Sequence, residues 1–71
     1  MGFKLRKRDT ELVNIEGKTP LYLAAEKSNI EFVKHLLDNG ADPNKKCVGG
    51  NTPLHVAFKK KHNIVILIFY L

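Results

Sequence analysis

GKTPLYLAA at Gly17–Ala25 returns as GNTPLHVAF at Gly50–Phe58, and 50 − 17 gives an offset of 33 residues. A fixed period between about 20 and 50 residues marks stacked supersecondary units, each too thin to bury its own apolar face. In both copies a threonine (Thr19, Thr52) stands where a helix N-cap is wanted, followed by proline. Proline suits the first helical position because its missing N–H would have no partner there. The spacing predicts a short helix over residues 20–27, with Leu21, Ala24 and Ala25 on one face at i, i+3 and i+4. The alanines let a neighbouring helix approach closely, and a bulky side chain at Ala24 would overpack the stack at a cost of about 1–3 kcal/mol.

Ser28-Asn29 predicts a turn, after which Asn29 can cap a second helix over residues 30–39. Its stripe of Ile30, Val33, Leu36 and Leu37 lies opposite Glu31, Lys34, Asp38 and Asn39. Gly40 supplies the left-handed position that stops the helix. Residues 41–51, with Pro43, Gly49 and Gly50, have the composition of a projecting hairpin.

Taken together, GKTPLYLAAEKSNIEFVKHLLDNGADPN at Gly17–Asn44 closely resembles the ankyrin-repeat family, and the resemblance runs from Gly17 onward. It implies an all-α solenoid fragment: two stacked antiparallel helix pairs with a β-hairpin-like connecting loop. Residues 17–49 would be one repeat, and residues 50–71 a second, truncated one with an all-apolar C-terminal helix. Residues 1–16 would be a degenerate N-terminal cap or the remnant of a preceding repeat. His55 and His62 hold signature positions, which implies structural hydrogen bonding for both. The chain departs from the pattern at five places: Glu11 for Asn, Ser28 for the turn Gly, Cys47 for Asp, Lys61 for the Gly before His62, and Leu67 for Lys or Glu. Cys47 puts the hydrogen bonding of its turn in question.

Seventy-one residues make at most one small domain, below the size at which a single core stabilises itself comfortably. With two repeats there is one inter-repeat interface, so independent stability should be marginal. The single cysteine excludes an internal disulfide and suits a reducing compartment. Basic residues near the N-terminus have no apolar segment behind them, so a secretory signal is not expected, and Arg6 occupies the Ser/Thr position of a myristoylation motif. The default localisation is cytoplasmic. Net charge is +5, with clusters at Lys4/Arg6/Lys7/Arg8, Lys45/Lys46 and Lys59/Lys60/Lys61. Such clusters favour acidic partners.

Ile64–Leu71 (IVILIFYL) is wholly apolar, where the first unit alternates apolar with charged residues. A helix that is greasy all round needs burial all round. It reads as a truncated or frame-altered repeat, or as a buried interface with a partner or a second copy. Eight residues of helix cover about 12 Å against a hydrocarbon core of about 30 Å, which argues against a membrane span.

No catalytic constellation is present. Ser28 has no nucleophile-elbow spacing, and Glu26, Glu31, Asp38 and Asp42 are expected on exposed edges rather than converging in a pocket. His35, His55, His62 and Cys47 match no metal-ligand spacing, and Gly49-Gly50 is not followed by Lys-Ser/Thr, so neither a metal nor a cofactor nor a small-molecule substrate is expected. The resemblance implies instead a non-catalytic protein–protein interaction module, or a vestigial fragment of a longer array. The family's binding positions carried onto this chain are Ile15, Glu16 and Lys18 at the first hairpin and Val48, Gly49 and Asn51 at the second. The first helices add Glu26, Lys27, Lys59 and Lys60. The second row is the more basic, which points to a protein with an acidic patch. The alternative is a basic surface for nucleic acid or anionic lipid, although Tyr22, Phe32, Phe58 and Phe69 are expected in or near the core rather than free for stacking.

Overall fold

The computed structural model of the chain describes residues 10–70. The basic cluster Lys4/Arg6/Lys7/Arg8 and the last residue of the apolar run, Leu71, lie outside them. Residues 10 and 11 are helical, and four further helices follow: α1 (Pro20–Glu26), α2 (Ile30–Asp38), α3 (Pro53–Lys59) and α4 (Asn63–Phe69). Among the described residues there is no strand, so the architecture is all-helical, as the resemblance implies.

The helices start where the threonines and Asn29 predict. Thr19 Oγ1 accepts from the Tyr22 N–H at 3.1 Å, and Asn29 Oδ1 accepts from the Phe32 N–H at 3.3 Å. Thr52 goes further and forms a reciprocal box. Its Oγ1 accepts from the His55 N–H at 3.2 Å, while His55 Nδ1 accepts from the Thr52 N–H at 3.1 Å. His55 thereby takes the part that Glu or Gln plays in the usual box. Each such cap stabilises its helix by about 1 kcal/mol.

The ends of α1, α2 and α3 share one device. At the end of α2, Gly40 stands at φ 84° while the Ala41 and Gly40 N–H groups reach back to the Leu36 and Leu37 carbonyls. This is the Schellman arrangement, which needs a left-handed residue. Both first helices use it without glycine. Ser28 and Lys61 each stand at φ 56°. Asn29 and Ser28 donate to the Ala24 and Ala25 carbonyls, and His62 and Lys61 to those of Ala57 and Phe58. The two departures from glycine therefore keep the turn but hold an L-residue in a region that costs it roughly 1–2 kcal/mol.

The helices enclose one core. Leu21, Ala25, Val33, Leu36, Ala57 and Val65 are fully buried, and Ala24, Tyr22 and Val56 nearly so. Burying each Val- or Leu-sized side chain favours folding by about 1.5–3 kcal/mol, set against the entropy of ordering it. The first helices α1 and α3 pack most extensively, with the alanines on α1 and α3 allowing the approach; the outer helices α2 and α4 touch less. The result measures 33 × 26 × 17 Å.

One expectation fails. Phe58 is exposed rather than near the core. By the 33-residue offset it stands where α1 has the buried Ala25, on the side of α3 that no described helix covers. The apolar run likewise finds only partial burial, since Val65 alone of α4 is fully enclosed and Ile64, Leu67 and Tyr70 face outward.

Candidate partner-binding cleft

Two loops turn over in the same way, 33 residues apart. In the first, the Asn14 N–H donates to the Lys18 carbonyl (3.1 Å) and the Gly17 N–H to the Asn14 carbonyl (2.9 Å). In the second, the Cys47 N–H donates to the Asn51 carbonyl (2.9 Å) and the Gly50 N–H to the Cys47 carbonyl (2.9 Å). The turns are joined to each other by the Val48 N–H, which donates to the Glu16 carbonyl at 2.9 Å. Gly17 permits this approach. It stands at φ 75°, and a Cβ there would lie 3.1 Å from the Val48 nitrogen and 3.2 Å from its Cγ2.

Inside the first turn, Asn14 Oδ1 accepts from the Glu16 and Lys18 N–H groups, both at 2.9 Å. The corresponding atom of the second turn is a sulfur. Partial burial alone would raise the Cys47 thiol's pKa, but hydrogen bonds from the Asn51 and Gly49 N–H groups and from the Tyr22 hydroxyl outweigh it and hold the pKa below the ordinary value. The turn therefore survives the replacement of a side-chain oxygen by Sγ. Tyr22 shifts the other way: burial, and then its bond to Cys47, push its phenol up.

The turns and the start of α1 line an open cleft of about 420 Å³, formed by Ile15, Glu16, Lys18, Tyr22, Cys47, Val48, Gly49 and Asn51. Ile15 and Val48 form its rims at 99% and 80% exposure. Lys18 lies across the floor, 3.6 Å from Glu16 Oε1, 3.6 Å from Glu26 Oε2 and 5.3 Å from the Tyr22 ring centroid. Its partial burial lowers its pKa, yet the carboxylates of Glu16 and Glu26 more than compensate, and the net shift is upward. The ammonium is thus held by internal carboxylates rather than offered outward.

Six of the residues anticipated at a binding surface therefore meet in one place: Ile15, Glu16, Lys18, Val48, Gly49 and Asn51. Glu26 is tied to them through Lys18. Lys27, Lys59 and Lys60 stand apart, exposed at and beyond the C-terminal ends of α1 and α3. Tyr22 and Cys47 were not anticipated there. The only signal in the sequence was that Cys47 and Asn14 occupy the same place in the 33-residue register.

The two helix pairs are clamped by His62, whose Nε2 lies 3.0 Å from the Glu26 carbonyl. With Thr52 held by His55, both signature histidines are structural. Among the described residues no group of His, Cys, Asp and Glu could hold a metal ion, and no helix is long and apolar enough to cross a membrane.

A family model described as "Ankyrin repeats (3 copies)" matches residues 3–70. Similar proteins include the nuclear factor NF-kappa-B p110 subunit of Drosophila melanogaster, 37% identical over 84% of this chain and 6% of that protein. A putative ankyrin repeat protein of fowlpox virus, FPV022, is 35% identical over 89% of this chain and 11% of its own length. The regulatory protein NPR5 of Arabidopsis thaliana is 55% identical over 56% of this chain and 8% of its own. The chain thus spans about a tenth or less of the length of the curated relatives it matches. With its period, its capped helix pairs and a match over nearly its whole length in agreement, the chain belongs to the ankyrin-repeat family.

Proposed function

We propose that the chain is a non-catalytic protein-binding module that engages a partner across the cleft between its two turns. Ankyrin repeats are generally interaction modules, and that much follows from the family. The specific reading rests on one observation: two aliphatic tips, Ile15 and Val48, project beside a cleft whose own lysine is already neutralised by Glu16 and Glu26. Charge available to a partner therefore comes from other lysines, among them Lys27, Lys59 and Lys60, all exposed. A segment carrying an apolar residue for the tips and carboxylates for the lysines fits this arrangement. In this reading residues 10–16 act as the last part of a preceding unit, contributing the first turn.

Selection of a random peptide library on the purified chain tests it. Recovered peptides should be enriched in Asp and Glu flanking an apolar residue. Their binding should fall with Val48→Asp and with Lys59→Glu/Lys60→Glu, and persist with Glu31→Lys on the outer helix. Peptides without acidic bias, or binding indifferent to Val48 and the lysines, would refute the proposal. A single-stranded oligonucleotide that bound instead, losing most of its affinity between about 50 and 200 mM salt, would favour the basic-surface alternative.

A further inference from the structure

The side of the second helix pair that faces away from the first carries an apolar surface. The 33-residue register shows how it differs from the internal interface. Val33 and Leu36, fully buried in the first pair, correspond to Ile66 and Phe69, which are only partly buried. Ala25, whose small size belongs to the close approach of α1 and α3, corresponds to the exposed ring of Phe58. Another helix pair stacked at the same spacing would meet that ring. The surface is therefore continuous in position with the internal interface but unsuited to repeating it.

It also extends further round. Glu31 and Lys34, on the exposed outer side of α2, correspond to Ile64 and Leu67 on α4, which carries no charged residue from Asn63 to Phe69. Phe58, Ile64, Leu67 and Tyr70 are 52%, 57%, 63% and 68% exposed. Taking about 200 Å² for each residue, as for an aromatic, this amounts to at most about 500 Å² of largely apolar surface, within the range of the largest patch on a monomer. Two such surfaces bring together at most about 1,000 Å², the lower boundary for a specific interface, before Ile66 is added.

We propose that this surface pairs with a second copy of the chain about a two-fold axis at α4. Ile64, Leu67 and Tyr70 lie on one helical stripe with Leu67 at its centre. An antiparallel pairing sets Leu67 against its own symmetry mate and Ile64 against the other copy's Tyr70. The α4 stripe is uncharged and meets its own copy without like charges along the helix, although exposed Lys59, Lys60 and Lys61 follow Phe58 and each chain is +5 overall. Screening that residual repulsion should strengthen the dimer as salt rises, the opposite of what an acidic partner at the cleft would show. Failure of one reading is thus distinguishable from failure of the other.

Sedimentation equilibrium of the full chain across the micromolar range should give twice the monomer mass of 8.1 kDa. Ile64→Glu with Leu67→Lys, the residue types α2 carries at these places, should return the monomer mass with an unchanged helical circular dichroism spectrum. As an independent reading, Leu67→Cys in a Cys47→Ser background should form a disulfide-linked dimer rapidly with copper–phenanthroline as oxidant, while Glu31→Cys should not. A monomeric wild-type chain, an open-ended series of larger species, a charged variant that still dimerises, or equal cross-linking at both positions would each overturn the proposal.

Discussion

Replacing His62 should weaken the joint between the helix pairs by an amount that the structure sets. Its Nε2 lies 3.0 Å from the Glu26 carbonyl, a side-chain bond between positions 36 residues apart. A hydrogen bond of this kind contributes about 1 kcal/mol net. The ring is half-buried, so lost packing adds a few tenths more in His62→Ala. At a urea m-value of about 1 kcal/mol/M for so small a chain, His62→Ala should lower the unfolding midpoint by about 1 M, followed by circular dichroism at 222 nm. The comparison that isolates the cause is His62→Asn. The residue at the same place in the first pair is Asn29, which caps α2, whereas His62 makes no side-chain cap to α4. Asparagine should therefore lose the inter-pair bond and gain a cap of about the same value, leaving the midpoint within about 0.3 M of wild type. An unshifted His62→Ala, or an asparagine variant as damaged as the alanine one, would refute the reasoning.

Ser28→Gly and Lys61→Gly should each stabilise the fold by about 0.5–1 kcal/mol, because both residues occupy left-handed backbone at φ 56° and glycine relieves that cost while losing some unfolded-state entropy. Urea midpoints that fall in either variant would contradict the assignment of the two turns. Cys47 should react with iodoacetamide along a pH profile shifted to lower pH than the same thiol in the urea-unfolded chain, since its folded pKa is depressed. By linkage, the contribution of that thiolate to stability is present above the unfolded pKa and is lost as pH falls through the folded one. Tyr22→Phe removes one donor to the sulfur and should move the profile back toward the ordinary value. A profile identical in folded and unfolded chains would show that the turn does not hold the sulfur.

How far the sequence was legible depends on the range of the interaction. Thr19-Pro20 and Thr52-Pro53, Gly40, and the 33-residue repeat carry local signals, and the helix starts and ends follow them to within a residue. Six of the anticipated surface positions meet because the register alone places one turn over the other. What was illegible depends on contacts between units. Phe58 reads as a core aromatic in an apolar segment, and only the position of Ala25 in the stack shows that it must project. Lys18 reads as surface charge, but its pairing with Glu26 follows from where α1 leaves the turn. Cys47 reads as a lost hydrogen-bonding residue, yet two of the donors around it are backbone N–H groups, of Asn51 and Gly49, which any residue at that place would meet, and the third is the Tyr22 hydroxyl.

The account turns on both helix pairs sharing a single core, so that neither survives the other. Urea unfolding followed residue by residue in ¹⁵N–¹H correlation spectra measures this directly. The amides of Ala25 in α1 and Val65 in α4, both fully buried, should lose their native signals at one common midpoint. Two separated midpoints, with α3 and α4 melting while α1 and α2 stay folded, would contradict it.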